Sequence, residues 1–427
     1  RGGIALLANS GLTALLGVAF WLVAARTLTA AAVGRGSALV AALLTVSGLC
    51  QLNYARSLSR LLPLATRPRR LLATAYGLTA ALSVAVGLAT AALILPHAVA
   101  AFSYLHGNML FVVLFAGSVA LWTVFNLEDS ALTSVRRATI IPFENGTYGV
   151  LKLVCLVGLW WAGYRTSTAL FVSWVLPLVA VIIPVNLFLF LKAIRGVERA
   201  PVQPQRQAAP WLRYDFFGYL LWLAGTLPLP LLVLMSVGPV RAASFAVPFT
   251  IATAIDLLSL MLGNALTAEI SRAGAVMTST TRSYLRQVWI MIGVLSVFLC
   301  LLAPWVLQAF GDKYRAGGTL VLQIFMISAL PRSVLFLGIA VLRSYGEGKR
   351  ILLLQAIAAV GTLAIGFVLV RLLGTVGMAL GWLIASCLAA VVVALFLSHG
   401  GVQGRHHRDG RTSSGRRFMF HGPRKWK

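Results

Sequence analysis

Acidic residues are scarce: 10 Asp and Glu stand against 36 Lys and Arg in 427 residues, and only 11% of the chain is charged. A composition that is 59% hydrophobic, with mean hydropathy +0.89, excludes both an ordinary soluble globule and a disordered chain. Cysteine is rare too. Cys50, Cys155, Cys300 and Cys387 each fall inside an apolar run and form no CxxC pair. They read as small buried apolar residues, not as disulfides or metal ligands. There is no Walker A box; Gly346–Lys349 (GEGK) lacks both the preceding pattern and the following Ser or Thr. HExxH, GxSxG and the Rossmann fingerprint are absent as well. No cofactor, no metal and no ATP hydrolysis by this chain are expected, and the chain is not expected to be an enzyme. No cleavable signal is expected either, because the apolar run Ile4–Ala25 is too long and more such runs follow it.

What fills the chain is apolar runs of span length. A hydrocarbon core of ~30 Å needs ~20 helical residues, and in lipid the backbone must satisfy its own hydrogen bonds. The runs predict helices near 4–26, 37–55, 71–95, 108–129, 138–161 and 168–190, then near 214–236, 243–266, 285–309, 317–342, 350–370 and 374–397. The fold class expected is an all-α polytopic membrane protein with about 12 transmembrane helices in two six-helix lobes around a central cavity. Pro177, Pro184, Pro228, Pro230, Pro248, Pro304 and Pro331 fall within spans, where they bend or interrupt helices.

The links carry most of the cations. With the N-terminus placed in the cytoplasm, 27 basic residues fall on the inner side and 7 on the outer, with Lys152 and Arg332 inside spans. Positive charge on inner loops sets orientation, so both termini are expected to be cytoplasmic. The net charge of +26 is then matched to anionic lipid headgroups, and no nucleic acid is implied. The longest interior link, 191–213, is basic and rich in Pro and Gln. It divides the chain into an N-terminal lobe (1–190) and a C-terminal lobe (214–397), with a basic disordered tail at 398–427. The longest outward link, 96–107, carries His97 and His106. It is short for a membrane glycosyltransferase or ligase and offers no acids.

Charges inside or near spans are the candidate functional residues, since their burial is costly. They are Arg26 at the end of the first helix, Arg56 after Gln51 and Asn53, Lys152, and Arg332. Glu128, Asp129 and Asp256 supply the acids. The plain reading is snorkelling or ion pairing. The functional reading is a wet cavity in which Arg26, Arg56, Lys152 and Arg332 meet a phosphate-bearing substrate. Arg offers forked donors there, and Lys a mobile point charge. Asp256, Glu128 and Asp129 would carry a coupling ion or balance the cations, with Asp256 expected to face the cavity. Asn9 would bind sugar hydroxyls or serve helix packing.

Particular stretches resemble a known family. Ala25-Arg26 with Leu28, then Val33-Gly34, matches a turn after the first helix. FGDKYRAGGTLVLQIFMISALPRSVLFLGIAVLRSYGEGKR and LLGTVGMALGWLIA follow in order. Across residues 4–397 the chain is similar to the oligosaccharide and polysaccharide flippases of the multidrug/oligosaccharidyl-lipid/polysaccharide (MOP) exporter superfamily, in the manner of O-antigen flippases. That resemblance implies alternating-access translocation of a polyprenyl-diphosphate-linked glycan across a bacterial inner membrane for envelope or exopolysaccharide synthesis. It also implies glycosyltransferases or a polymerase of the same pathway as partners. Lipid II flippases of the superfamily usually carry an acid where this chain has Gly34-Arg35, which favours another glycan. Other readings stay open: a multidrug or small-metabolite antiporter, a ligase or polymerase acting on lipid-linked glycans, and a non-transporting scaffold for envelope synthesis.

Overall fold

A computed structural model describes residues 2–52, 54, 58, 62–196, 211–272 and 279–398. It is helical along the predicted plan. The N-terminal lobe holds α1 (Gly2–Thr27), α2 (Ala30–Cys50), α3 (Pro68–Ala98), α4 (Met109–Ser134), α5 (Ile141–Trp161) and α6 (Ser167–Leu191). The C-terminal lobe holds α7, in two pieces (Trp211–Thr226 and Leu229–Val237), then α8 (Pro239–Arg272), α9 (Ser279–Phe310), α10 (Asp312–Ser344), α11 (Gly348–Leu373) and α12 (Thr375–Ser398). Ten of these elements are long and apolar enough to cross a membrane. The apolar stretch described in α1, Gly11–Thr27, is shorter, and α5 is diluted by Glu144, Asn145 and Lys152. The chain is a multi-pass membrane protein.

Two local outcomes differ from the sequence expectation. The second helix begins at Ala30, not at 37, because the Thr29 hydroxyl accepts from the Ala32 amide at 3.2 Å and caps it. Gly34 and Arg35 therefore lie inside α2, and Gln51 closes it. Proline also acts unevenly. α7 breaks before Pro228, whereas α10 runs on through Pro331. In α3 a π-turn at Thr90–Ile94 precedes Pro96 and absorbs its lost hydrogen bond and ring clash.

The same helix pairs recur in both lobes. α1 packs on α5, α2 on α4, α3 on α4, and α5 on α6; correspondingly α7 packs on α11, α8 on α10, α9 on α10, and α11 on α12. Small residues permit the tightest crossings. A Cβ on Gly381 would sit 2.4 Å from Gly366 Cα, so α11 and α12 touch backbone to backbone.

The lobes meet chiefly through α2, which packs on α7 and α8. Gly34 lies so close to the first turn of α8 that a Cβ there would come within 1.9 Å of the Pro239 carbonyl oxygen. We call the end bearing the α1–α2 turn distal, and the end bearing residues 191–196 terminal. The distal half of α1 is buried at Phe20, Trp21 and Ala24, while Gly11, Leu12, Thr13 and Leu15 in its terminal half are exposed. Arg26 and Gly34 join the lobes at the distal end, and α2 stays against α7 as far as Gly48, where a Cβ would lie 3.2 Å from Leu223 Cδ1.

Candidate functional site

Each lobe encloses one cation against a tryptophan. In the N-terminal lobe, Lys152 on α5 is 4% exposed, with Nζ 4.1 Å from the Trp174 ring centroid, 5.1 Å from Tyr148 and 5.3 Å from Phe20. The rings come from three helices, because Trp174 stands on α6 and Phe20 on α1. Tyr148 is held by its hydroxyl donating to the Trp174 carbonyl at 2.9 Å. Lys152 has no carboxylate partner among the described residues.

In the C-terminal lobe, Arg332 on α10 is also 4% exposed and lies 3.9 Å over Trp382 and 5.4 Å from Phe336. Trp174 and Trp382 both occupy the eighth position of the last helix of their lobe. Here the cation is neutralised: Arg332 Nε donates to both oxygens of Asp256 on α8 at 2.8 Å, and Nη2 rests on Oδ2. Asp256 is 5% exposed. The expectation that Asp256 faces the cavity is therefore corrected: α8 and α10 are packed closely enough to give it a guanidinium inside the lobe.

A second C-terminal pair closes toward the terminal end. Arg343 on α10 donates to Asp215 Oδ1 on α7 through Nη2 at 2.9 Å and Nε at 3.3 Å.

Three acids gather in the N-terminal lobe, where α4 ends and α5 begins. Glu128 is fully buried and Glu144 is 3% exposed, with Asp129 and Asn145 close by; among the described residues Glu128 Oε2 and both Glu144 oxygens have no hydrogen-bond donor. Asn186 Nδ2 on α6 donates to Glu128 Oε1 at 2.7 Å. Among the described residues no group of three or more His, Cys, Asp or Glu could hold a metal ion.

Arg26 does something different again. From the distal end of α1 its Nε donates to the Ala309 carbonyl at 2.6 Å and its Nη2 to the Gln308 carbonyl at 3.1 Å. These are orphan carbonyls of the last turn of α9, where a cation also complements the helix dipole. Arg26 thus ties one lobe to the other. Asn9, half-buried on α1, accepts from Thr13 one turn along at 3.5 Å. Arg56 lies outside the described residues.

The structure does not bring Arg26, Lys152 and Arg332, the candidate cations among the described residues, to one wall. Arg26 sits at the distal contact, while Lys152 and Arg332 lie inside separate lobes. Sequence reasoning missed Glu144, Arg343, Asp215 and the two tryptophans. Glu144 had a signal: the short link 135–140 must fold the start of α5 back beside Glu128 and Asp129.

No protein-family model matches the chain, and no curated protein matches it. Solved structures share its fold. A structure titled "Lipid II flippase MurJ, inward closed conformation" is similar with a TM-score of 0.69 at 11% identity, covering 93% of this chain and 87% of that one. A second, titled "Inward-facing conformation of a multidrug resistance MATE family transporter of the MOP superfamily", gives 0.67 at 15% identity, covering 97% of this chain and 100% of that one. A third, described as a MOP superfamily transporter from Pyrococcus furiosus with reversed polarity of its binding pocket, gives 0.59 at 13% identity over 97% of each chain. At these identities the likeness is one of fold: the helices are arranged as in those MATE and MurJ structures.

Proposed function

We propose that the chain is an alternating-access transporter that moves an anionic, polyprenyl-diphosphate-linked glycan across a bacterial inner membrane. The lobes meet through α2, with the Arg26 and Gly34 contacts at the distal end that alternating access would have to make and break. The observation that carries the substrate class is the disposition of charge. Asp256 and Asp215 are taken by arginines, and Glu128 and Glu144 are enclosed with Asp129 beside them. Lys152 is left without an acid. A cationic substrate would find Asp256 and Asp215 already paired, whereas a diphosphate would find an ammonium with no acid beside it behind the aromatic side chains of α1 and α6. Arg26 serves as the distal latch, and the acids inside the lobes hold or balance charge.

In this reading the terminal end is cytoplasmic, as the 27:7 division of basic residues supports. The lobes are residues 1–190 and 214–397. The link 191–213 and the tail 398–427 fall mostly outside the described residues; their basic charge suits anionic inner-leaflet lipids, and glycosyltransferases or a polymerase of the same pathway are the proposed partners. Cysteines replacing Ala100 and Gln205 should then react with an impermeant thiol reagent from opposite sides; reaction of both from outside would reverse or abolish this topology.

The decisive assay is transbilayer movement in proteoliposomes. Four fluorescent polyprenyl-diphosphate lipids, each bearing one hexose or N-acetylhexosamine, are followed beside sugar-free polyprenyl diphosphate and a cationic dye. Movement of a glycan lipid supports the proposal. Movement of the dye alone overturns it in favour of a second reading, a small-molecule antiporter. That reading draws on Glu128, Glu144 and Asp129, acids that no cation pairs with among the described residues.

A further inference from the structure

Within the C-terminal lobe, α7, α8, α10 and α11 enclose a cavity of about 50 Å³ in the half nearer the terminal end. A single water needs only ~10–15 Å³ of such space. Its wall is polar for a lobe interior: the Asp215–Arg343 pair, Tyr219, Trp222, Asn264 and Gln355 line it, with Phe336 as an apolar flank. Two of these groups carry unmet hydrogen-bonding capacity. Among the described residues, the indole N–H of Trp222 is buried with no acceptor, and the side-chain oxygen of Gln355 is buried with no donor. Gln355 is only 8% exposed, so bulk water does not serve it. On the α8 side the lining residue Asn264 is exposed.

An occupant must therefore accept from Trp222 and meet the Gln355 amide, whichever way that amide is turned. A bare cation does nothing for the indole N–H and meets the Arg343 guanidinium. An inorganic anion does nothing for an amide oxygen and meets Asp215. A hydroxyl both donates and accepts. Adjacent hydroxyls on a ring can engage Trp222, Gln355 and the Asp–Arg pair together, while Tyr219 and Trp222 add aromatic surface. The volume admits one edge of a sugar ring, and the remainder would lie outward past Asn264.

We propose that this cavity is a saccharide subsite, which holds a hydroxyl-bearing edge of the glycan at the terminal end before translocation. The inference rests on the glycan-flippase reading and adds a place for the sugar separate from the cation that meets the diphosphate.

The test uses the full chain in nanodiscs and measures binding of the same four glycan lipids and sugar-free polyprenyl diphosphate. Trp222→Phe keeps the ring and removes the N–H; Gln355→Met keeps length and removes the amide. The wild-type protein should bind at least one glycan lipid more tightly than the sugar-free lipid. Each variant should lose about tenfold of that preference, the weight of ~1.4 kcal/mol of hydrogen bonding, with sugar-free binding unchanged. If both variants keep the full preference, the cavity holds only water and the subsite is overturned while the flippase reading stands. If the wild-type protein binds none of the five lipids, the flippase reading falls and the subsite with it. A melting temperature for each variant within a few degrees of wild type shows that a lost preference is not misfolding.

Discussion

Arg26 of α1 holds the Ala309 carbonyl at the end of α9, 2.6 Å from Nε, and so spans the contact between the lobes. Such a bond exists only while the distal ends are together, so it stabilises one conformation selectively. Arg26 is exposed, which keeps its net worth to about 1 kcal/mol. Arg26→Ala should therefore raise the population with separated distal ends roughly fivefold. Spin labels at Arg165 and Lys313, both exposed and in different lobes, report it as growth of the longer-distance component. An unchanged distance distribution would mean that the bond is incidental to the cycle.

Gly34 is the steric counterpart of that latch. Its neighbour is the Pro239 backbone, which cannot rotate aside as a flexible side chain could. Gly34→Ala must move α2 off α8, at an overpacking cost of ~1–3 kcal/mol. The distal-closed state loses that much, and a cysteine replacing Ala243, 1% exposed in the wild type, should be modified by N-ethylmaleimide about tenfold faster in the Gly34→Ala background. Equal rates would show that the lobes absorb the methyl without parting.

How much of this was legible follows from what each feature depends on. Helix count and plan were visible because span length and apolar content are local properties. The start of α2 was not, since Gly34, Arg35, Gly36 and Ser37 look like a link; only the Thr29 cap and burial, of Gly34 against the other lobe and of Gly36 against Leu170 of α6, make them helical. Arg332 and Asp256 were recognisable as costly charges, but their pairing joins residues 76 apart and needed the α8–α10 contact. Lys152 was recognisable too, yet its ring box draws on α1 and α6, and no local pattern around Trp174 announces it. The Gly34 motif was noticed for its resemblance, while its physical cause, a backbone-to-backbone approach between lobes, needed coordinates.

Asp256 and Arg332 make the sharpest stability prediction. Removing one member of a buried pair strands the other charge, at ~3–5 kcal/mol. Asp256→Ala should lower the melting temperature markedly, as read by the folded fraction surviving a heating series in detergent. Exchanging both, Asp256→Leu with Arg332→Met, should restore most of the loss, since a well-packed apolar pair replaces both charges. If the double variant is as unstable as the single one, the pair does not act as a unit. If it is stable and still transports, neither charge carries substrate or coupling ion.

Lys152 should behave in the opposite sense. Its ammonium is buried without an acid, and ring contacts return only ~2 kcal/mol against a desolvation cost of several. Met fills the same length and suits an aromatic box. Lys152→Met should therefore melt at the wild-type temperature or above it. A residue kept at a cost to stability has another use, and in the proposed function that use is the diphosphate. Glycan-lipid movement by Lys152→Met should fall at least tenfold at equal folded protein, a loss of ~1.4 kcal/mol or more in transition-state stabilisation. The comparison with Asp256→Ala separates the two roles, because one variant loses fold and the other loses flux. Wild-type flux in Lys152→Met would assign the lysine to packing and remove the charge argument for an anionic substrate.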